Sequence, residues 1–198
     1  MMRPGRAAQG LLLAGLLAAC AGQQSASPGG RDARATLEQA AGRLPAEIAS
    51  FTRGETVWHE PTRPGLGVTV DYAGPGRSAV STVSLYDRGQ RIIPQEIGSA
   101  AMQQEFAAAV QEILALAEGR TSQELAERDR TLLPVPGQAP LQCARLQGTY
   151  GRQPVQTLVC LGTASGRYLK VQVTAPARQV RPVDPLPFVV EIAQAARG

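Results

Sequence analysis

The residue types that most often carry chemistry are scarce in this sequence. It has one histidine, His59, and three cysteines, Cys20, Cys143 and Cys160, among 198 residues. A zinc site needs three or four Cys, His or carboxylate ligands at suitable spacing, and these few residues do not supply such a set. The sequence therefore predicts no metal site and no cofactor.

A hydrolase of the Ser-His-acid type would have to use His59 as its base, because no other imidazole exists. No Gly-x-Ser-x-Gly motif accompanies it, and Gly98-Ser99-Ala100 suits the start of a helix better than a nucleophile turn. The glycines of Gly65-Leu66-Gly67 lack the pattern of a phosphate-binding loop and indicate a turn. We therefore expect no catalytic residue and no enzymatic activity.

Cys143 and Cys160 flank a candidate hairpin that is specific enough to give a register. Gly151-Arg152 suits a two-residue type II′ turn, which favours glycine at its first position. Counting outward from this turn places Cys143 directly opposite Cys160 in a non-hydrogen-bonded pair, with Cα atoms about 4.5 Å apart. That separation falls in the range of disulfides, so the register predicts a structural disulfide between them.

The same register divides the hairpin into two faces. One face carries Ala144, Leu146, Tyr150, Val155, Val159 and Leu161, and the other carries Cys143, Arg145, Gln147, Gln156, Leu158 and Cys160. For the next hairpin, Ala164-Ser165-Gly166 is interpreted as a three-residue loop. This loop would place Val159 opposite Val171 and Leu161 opposite Leu169.

The elements that would position these residues follow from hydrophobic periodicity. The strongest pattern predicts a helix over residues 100–118, with Ser99 as N-cap, Gly119 at the C-terminal end and an apolar stripe. That stripe consists of Met102, Phe106, Val110, Ile113 and Ala117. Alternating patterns predict strands over 67–73 and 80–86, and weaker signals predict a helix over 33–44 and a strand over 49–58.

The second half of the chain is less regular at first. Residues 120–131 are expected to form a helical turn or two, and the prolines at 134, 136 and 140 to exclude regular structure up to about residue 142. Three strands and a terminal helix follow. Asp184 is the expected N-cap of that helix and Pro185 its first residue, with Leu186, Val189, Val190, Ala193 and Ala196 as its buried face.

Strands joined by tight turns must be antiparallel, and the helices must cover the apolar surface of the sheet. The sequence thus predicts an α+β fold, an antiparallel sheet covered by helices in an α/β/α sandwich. This order of elements resembles the domain shared by the photosystem II extrinsic protein family PsbP and the nuclear import factor Mog1. The resemblance implies architecture only.

The N-terminus has the pattern of an export signal. Arg3 and Arg6 precede an apolar segment over residues 11–19, which is too short to span a bilayer. The motif Leu17-Ala18-Ala19-Cys20 resembles a bacterial lipobox, which implies cleavage before Cys20 and acylation of its thiol. The alternative is an ordinary secretory signal, cut after Ala19 or Ala21.

Three segments follow from this interpretation. Residues 1–19 are the lipoprotein signal peptide, residues 20–32 a lipidated flexible tether rich in Gly, Ser, Gln and Pro, and residues 33–198 a single α/β periplasmic domain. By resemblance to lipoprotein sorting in Gram-negative bacteria, Ala21 after the acylated cysteine implies the periplasmic side of the outer membrane.

Short segments also resemble uncharacterised exported proteins of proteobacteria, for which no activity is implied. They are Leu44-Pro45, Phe51-Thr52-Arg53, Gly65-Leu66-Gly67-Val68, Ser84-Leu85-Tyr86-Asp87-Arg88-Gly89, Ile93-Pro94 and Gly166-Arg167-Tyr168-Leu169-Lys170-Val171.

The charge of the chain limits its partners. The formal net charge is +4, and the basic residues, of which only Lys170 is lysine, are scattered rather than clustered. This distribution does not favour a nucleic-acid partner. We expect a lipid-anchored periplasmic protein that acts as a non-catalytic interaction or accessory module, with the membrane and an envelope protein as partners. The alternative is a small-ligand or lipid-binding domain with a cleft between sheet and helix, and a hydrolase is the third class.

Overall fold

Eight strands form one antiparallel sheet in the computed structural model, which describes residues 34–119 and 122–198. The strands are β1 (Glu47–Ile48), β2 (Phe51–Trp58), β3 (Val68–Ala73), β4 (Val80–Tyr86), β5 (Gln123–Val135), β6 (Gln138–Tyr150), β7 (Gln153–Ala164) and β8 (Arg167–Pro176). Their order across the sheet is β1-β2-β3-β4-β8-β7-β6-β5. The chain therefore joins the two halves of the sheet through the pairing of β4 with β8.

Helices cover both faces of this sheet. The helices are α1 (Leu37–Gly42), α2 (Ala100–Glu118) and α3 (Leu186–Arg197). One apolar cluster joins α2 to β6 and β7 on the face that we call the α2 face. The other cluster joins α1 and α3 to the opposite face, which we call the α1–α3 face. This arrangement confirms the predicted α+β fold, an antiparallel sheet between layers of helix.

The helix α2 forms where its periodicity predicts it. The Ser99 hydroxyl accepts a hydrogen bond from the Met102 N–H at 3.4 Å, and Gly119 is the C-cap. All five predicted stripe residues are buried, together with Ala109. The helix is anchored by apolar contact rather than by its own charges, since neither its first nor its last turn carries a compensating charge.

The hairpin of β6 and β7 has the predicted register. Tyr150 pairs with Gln153 and Cys143 with Cys160, and Gly151 has the positive φ of 60° that the first position of a type II′ turn requires. Cys143 and Cys160 form a disulfide, with Cα atoms 4.0 Å apart. The disulfide lies in the cluster of the α1–α3 face, and both residues are buried.

The predicted loop between β7 and β8 is wrong by one residue. Ser165 and Gly166 both have positive φ, 53° and 71°, which is the signature of a two-residue type I′ turn. Ala164 therefore pairs with Arg167, and the strand partners shift accordingly. Val159 lies opposite Gln172 and Leu161 opposite Lys170, instead of Val171 and Leu169.

The expected helical turns and irregular segment over 120–142 are also wrong. Residues 123–135 form the edge strand β5, and most of them are at least partly exposed. Pro134 has no partner in β6, because the register shifts between Leu133 and Val135, and Pro136-Gly137 makes the turn to β6. The prolines thus occupy positions where a missing N–H interrupts no pairing.

Two further boundaries differ from the expectation. The first helix is shorter than residues 33–44, because the Thr36 side chain caps it and α1 begins at Leu37. In α3 the buried face includes Phe188 and Ile192, whereas Leu186 is exposed and Val190 only partly buried. The helix also begins one residue later than predicted, with Pro185 and not Asp184 as its N-cap and Leu186 as its first residue. Asp184 lies just before the cap and accepts a hydrogen bond from the Leu186 N–H at 3.0 Å.

Candidate functional site

The α2 face is only partly covered. The helix packs over β5, β6 and β7 and contacts Tyr86 and Tyr168. Beyond these tyrosines, side chains of β3, β4 and β8 continue the same face, and apart from the exposed Val80 the following members are polar: Thr69, Asp71, Thr82, Ser84, Lys170, Gln172 and Thr174. All of these polar residues except the buried Ser84 are at least partly exposed, so this part of the face is accessible to a ligand.

A cleft of about 400 Å³ occupies this part of the face, between the sheet, helix α2 and the loop that joins β2 to β3. It is lined by His59, Arg63, Leu66, Thr69, Thr82, Ser84, Tyr86, Arg88, Glu112, Leu116, Lys170 and Gln172. A second depression of about 370 Å³ continues along the face and shares Gln172 with the cleft. The volume of the cleft suits a small molecule.

The floor of the cleft is a row of hydrogen-bonded hydroxyls. Thr69 and Ser84 lie opposite each other on β3 and β4, with their side-chain oxygens 3.3 Å apart. Ser84 in turn lies opposite Lys170 on β8. The row therefore crosses three neighbouring strands and ends on an ammonium group.

His59 extends this row at its other end. Its Nε2 lies 3.1 Å from Thr69 Oγ1, and its Nδ1 lies 3.0 Å from Arg63 Nη2. Because a guanidinium group only donates, Nδ1 of the neutral ring must accept, so Nε2 carries the proton and donates to Thr69. Activation of a nucleophile would need the reverse direction of this bond, so the geometry orients His59 for binding rather than for base catalysis.

The loop over residues 59–67 holds His59 and Arg63 in place. The Glu60 carboxylate accepts hydrogen bonds from the N–H groups of Gly65 and Gly67, at 3.0 and 2.9 Å. The Gly67 carbonyl accepts from the His59 N–H at 2.8 Å. A loop tied to itself in this way presents its side chains in one arrangement.

A charged wall faces the loop across the cleft. Lys170 Nζ lies 3.4 Å from Glu112 Oε2 on helix α2, and Glu112 also pairs with Arg88. Burial by itself would raise the pKa of the Glu112 carboxyl, but the hydrogen bonds from Arg88 and Lys170 lower it overall. Glu112 is therefore ionised at neutral pH and holds both cations at the rim.

Tyr86 supports this wall from below. Its burial, together with the neighbouring Glu105 carboxylate, raises the pKa of the phenol, so the hydroxyl keeps its proton and donates to Glu105 at 2.8 Å. The charged groups of Arg88 and Lys170 lie over the Tyr86 ring, at 5.0 and 5.6 Å from its centroid. These cation–π contacts hold the same two cations against the Tyr86 ring.

The residues predicted for the site lie elsewhere. Cys143 and Cys160 form the predicted disulfide on the opposite face of the sheet, so it has no part in the cleft. Cys20, the predicted acylation site, lies outside the described residues, as do the signal peptide of residues 1–19 and the tether of residues 20–32. Ser99 caps α2, as expected, and is not a nucleophile.

The sequence left a cleft between sheet and helix open as an alternative but did not identify the residues that line it. His59 and Lys170 are the only histidine and the only lysine of the chain, and both line it. That each is the only residue of its type can be read from the sequence. Their proximity cannot, because it depends on the pairing of β4 with β8, which no local pattern predicts.

Among residues 34–119 and 122–198, no group of three or more His, Cys, Asp and Glu side chains could hold a metal ion. Within the same two ranges, no helix has the length and apolar character needed to cross a bilayer.

Comparison with known proteins gives structural similarity but no sequence match. No family model matches the chain, and no curated protein matches it significantly. The solution structure of cyanobacterial PsbP (CyanoP) from Synechocystis sp. PCC 6803 is similar over 66% of this chain and 83% of that chain, with 12% sequence identity and a TM-score of 0.37. At this TM-score the similarity carries no argument about fold or function.

Proposed function

We propose that this protein is a lipid-anchored protein of the bacterial cell envelope that acts by binding a small polar ligand rather than by catalysis. Of the two kinds of binding protein that the sequence leaves open, the geometry favours the one with a cleft between sheet and helix. The observation that carries the proposal is the uncovered part of the α2 face. There a loop, three strands and a helix border an open cleft of about 400 Å³, lined largely with hydroxyl, amide and charged groups.

The composition of the cleft also favours a polar ligand over a lipid chain. Carbon atoms supply somewhat more than half of its lining surface, but nine of its twelve lining residues carry an aliphatic hydroxyl, amide, imidazole or charged group, and the other three are Leu66, Leu116 and Tyr86. An acyl chain favours a cavity lined mainly by apolar side chains. The floor offers Thr82 and Gln172 beside the hydroxyl row, and such groups discriminate ligands by hydrogen bonding.

The envelope location rests on the sequence motif at Cys20. We expect the protein purified from its native membranes to begin at Cys20 and to carry acyl mass, measured by intact-mass spectrometry. The mature Cys20→Ala protein, without residues 1–19, should leave the membrane fraction. A variant that stays in the membrane without acyl mass would contradict the anchor, and with it the proposed outer-membrane location.

Filling the cleft tests the binding function. Thr82→Trp places a large ring over the floor, and Thr131→Trp makes the same change at an exposed site on the edge strand β5, outside the cleft. We expect the immobilised wild type and Thr131→Trp proteins to enrich the same small molecule from a native envelope extract, detected by mass spectrometry, and Thr82→Trp to lose at least tenfold of that enrichment.

Two outcomes would count against small-ligand binding. Equal retention by all three proteins would place the binding outside the cleft. Retention of a protein that Thr82→Trp abolishes, with no small molecule, would favour the interaction module instead.

A further inference from the structure

The charge of the cleft identifies the class of its ligand. Resting on the proposed binding function, we propose that the ligand carries an oxyanion, a carboxylate or a phosphate, and that Arg63 and Lys170 supply the positive charge that binds it. Three observations support this: the balance of charges around the cleft, the incomplete pairing of these two cations, and the position of the only lysine.

The cations around the cleft outnumber the acids. Arg63, Arg88 and Lys170 are among the residues that line it, and the acid among those lining residues is Glu112. Other carboxylates nearby are already engaged: Glu105 pairs with Arg88, Glu60 accepts from the Gly65 and Gly67 N–H groups, and Asp71 accepts from the Thr82 hydroxyl. An oxyanion would compensate the positive charge of the lining residues, and a neutral or cationic ligand would not.

The surplus charge is at Arg63. Within the described ranges, no carboxylate lies within ion-pair distance of the Arg63 guanidinium. The side chain forms a hydrogen bond with the His59 ring instead. Because this contact uses Nη2 alone, the other N–H groups of the guanidinium can bind a ligand. A guanidinium can donate two parallel hydrogen bonds to the two oxygens of a carboxylate or phosphate. The hydrogen bond to His59 keeps the group directed at the cleft.

Lys170 is the second cation with donors to spare. Only 18% of its side-chain surface is exposed, and its partner Glu112 is 43% exposed, lies 3.4 Å away and is shared with Arg88. An ammonium group has three donors, so at least one can reach a ligand on the floor beside Ser84.

The choice of lysine at this position is itself informative. Every other basic side chain among the twenty Lys and Arg residues is arginine, yet this one lies under a helix and beside the Tyr86 ring. Lysine presents a compact charge where the planar guanidinium needs more room. The position therefore fits a point contact to a ligand oxygen.

The test uses the single histidine as a reporter. In the full chain carrying Cys20→Ser, the ¹H–¹⁵N spectrum of the imidazole contains only the His59 ring. Inorganic phosphate and acetate are titrated separately at constant pH and ionic strength, with sodium chloride and a neutral polyol as controls. We expect one or both anions to shift the His59 signals saturably, and the controls not to do so.

Substitutions then test whether Arg63 and Lys170 are the residues that bind the anion. Arg63→Gln and Lys170→Met should each weaken the apparent affinity at least tenfold, while Arg152→Gln, at the exposed turn between β6 and β7, should leave it unchanged. A far-ultraviolet spectrum and a melting curve for each variant show that the fold is intact, and Lys170→Arg offers a second variant that keeps the charge.

The source of the oxyanion is distinguished with vesicles of phosphatidylcholine, with and without phosphatidylglycerol. Recruitment to the phosphatidylglycerol vesicles that Arg63→Gln abolishes identifies a lipid headgroup, whereas binding of the free anions without recruitment identifies a soluble ligand. Both results support the proposal.

The proposal is overturned if neither anion shifts the His59 signals, or if the charge variants bind as the wild type does. This failure is separable from failure of the proposed function. If Thr82→Trp still abolishes enrichment of a small molecule, the cleft binds a ligand of another charge. If no molecule is enriched at all, the binding function itself is wrong.

Discussion

Gly67→Ala should lower the stability of the protein more than the second glycine-to-alanine substitution considered below, Gly89→Ala. A Cβ at this position would lie 1.9 Å from the Leu85 carbonyl oxygen, and the backbone has φ of +60°. The clash and the left-handed conformation together should lower the free energy of unfolding by about 2–5 kcal/mol. For a chain of this size, that corresponds to a melting temperature about 10 °C lower.

Gly89→Ala is the matched control for this prediction. Gly89 has a similar φ of +76°, but its added Cβ would meet nothing within 4 Å, so the substitution should cost only about 1–2 kcal/mol. The difference between the two variants in urea denaturation isolates the steric clash. Equal losses for both variants would show that Gly67 is not held against Leu85.

Because Gly67 closes the loop that carries His59 and Arg63, the same variant should also disorder one wall of the cleft. We expect the His59 imidazole signals of Gly67→Ala to broaden or move even at temperatures where the sheet remains folded. Gly89→Ala should leave them in place.

Removing the disulfide should have a comparable effect. Cys143 and Cys160 are 17 residues apart in sequence, and the chain-entropy model gives about 3 kcal/mol for a closed loop of this length. The double variant Cys143→Ala/Cys160→Ala should lose somewhat more than that free energy of unfolding in urea, because it also loses two sulfur atoms from the core. Its m-value should also rise, since the unfolded chain is no longer held in a loop.

The wild-type protein unfolded and refolded in a reducing agent provides the control, because it lacks the same covalent constraint but keeps both sulfur atoms in the core. It should fall between the oxidised wild type and the double variant. A double variant as stable as the oxidised wild type, within about 0.5 kcal/mol, would contradict the prediction.

Elements with complete local signals were predictable from the sequence. The helix α2 has a continuous apolar stripe, Ser99 and Gly119 at its ends, and its bounds match the prediction. The β6–β7 hairpin was equally predictable, because Gly151 specifies the turn and the turn specifies every pair up to the disulfide. Each signal lies within one element or one turn.

Elements whose structure depends on distant partners were not predictable in the same way. The strand β5 is rich in charged residues, such as Glu127 and Arg130, and it is extended because β6 pairs with it along its length. The β7–β8 turn shows a different failure, since Ser165 takes a positive φ that its residue type does not favour. Tertiary pairing overrides local preference in both cases.

The cleft combines both kinds of information. The pairing of Thr69 with Ser84 follows from the hairpin of β3 and β4, so half of the floor could be predicted. Its position beside Lys170 requires the β4–β8 pairing, and its upper wall requires α2 to stop short of covering the face. Neither condition can be predicted from a local sequence pattern.

The single junction between β4 and β8 also has a consequence for folding. Strands β1 to β4 and strands β5 to β8 each pair with neighbours in sequence, and these local contacts form early, whereas the junction brings together segments that are far apart along the chain. We expect the two half-sheets to form before they join.

The cleft lies across this junction, since Ser84 belongs to one half-sheet and Lys170 to the other. The cleft is therefore complete only once the two half-sheets have joined. A ligand that binds there, as we propose, would bind the joined state and not its separated halves, so it would shift the folding equilibrium toward the complete sheet as its concentration rises.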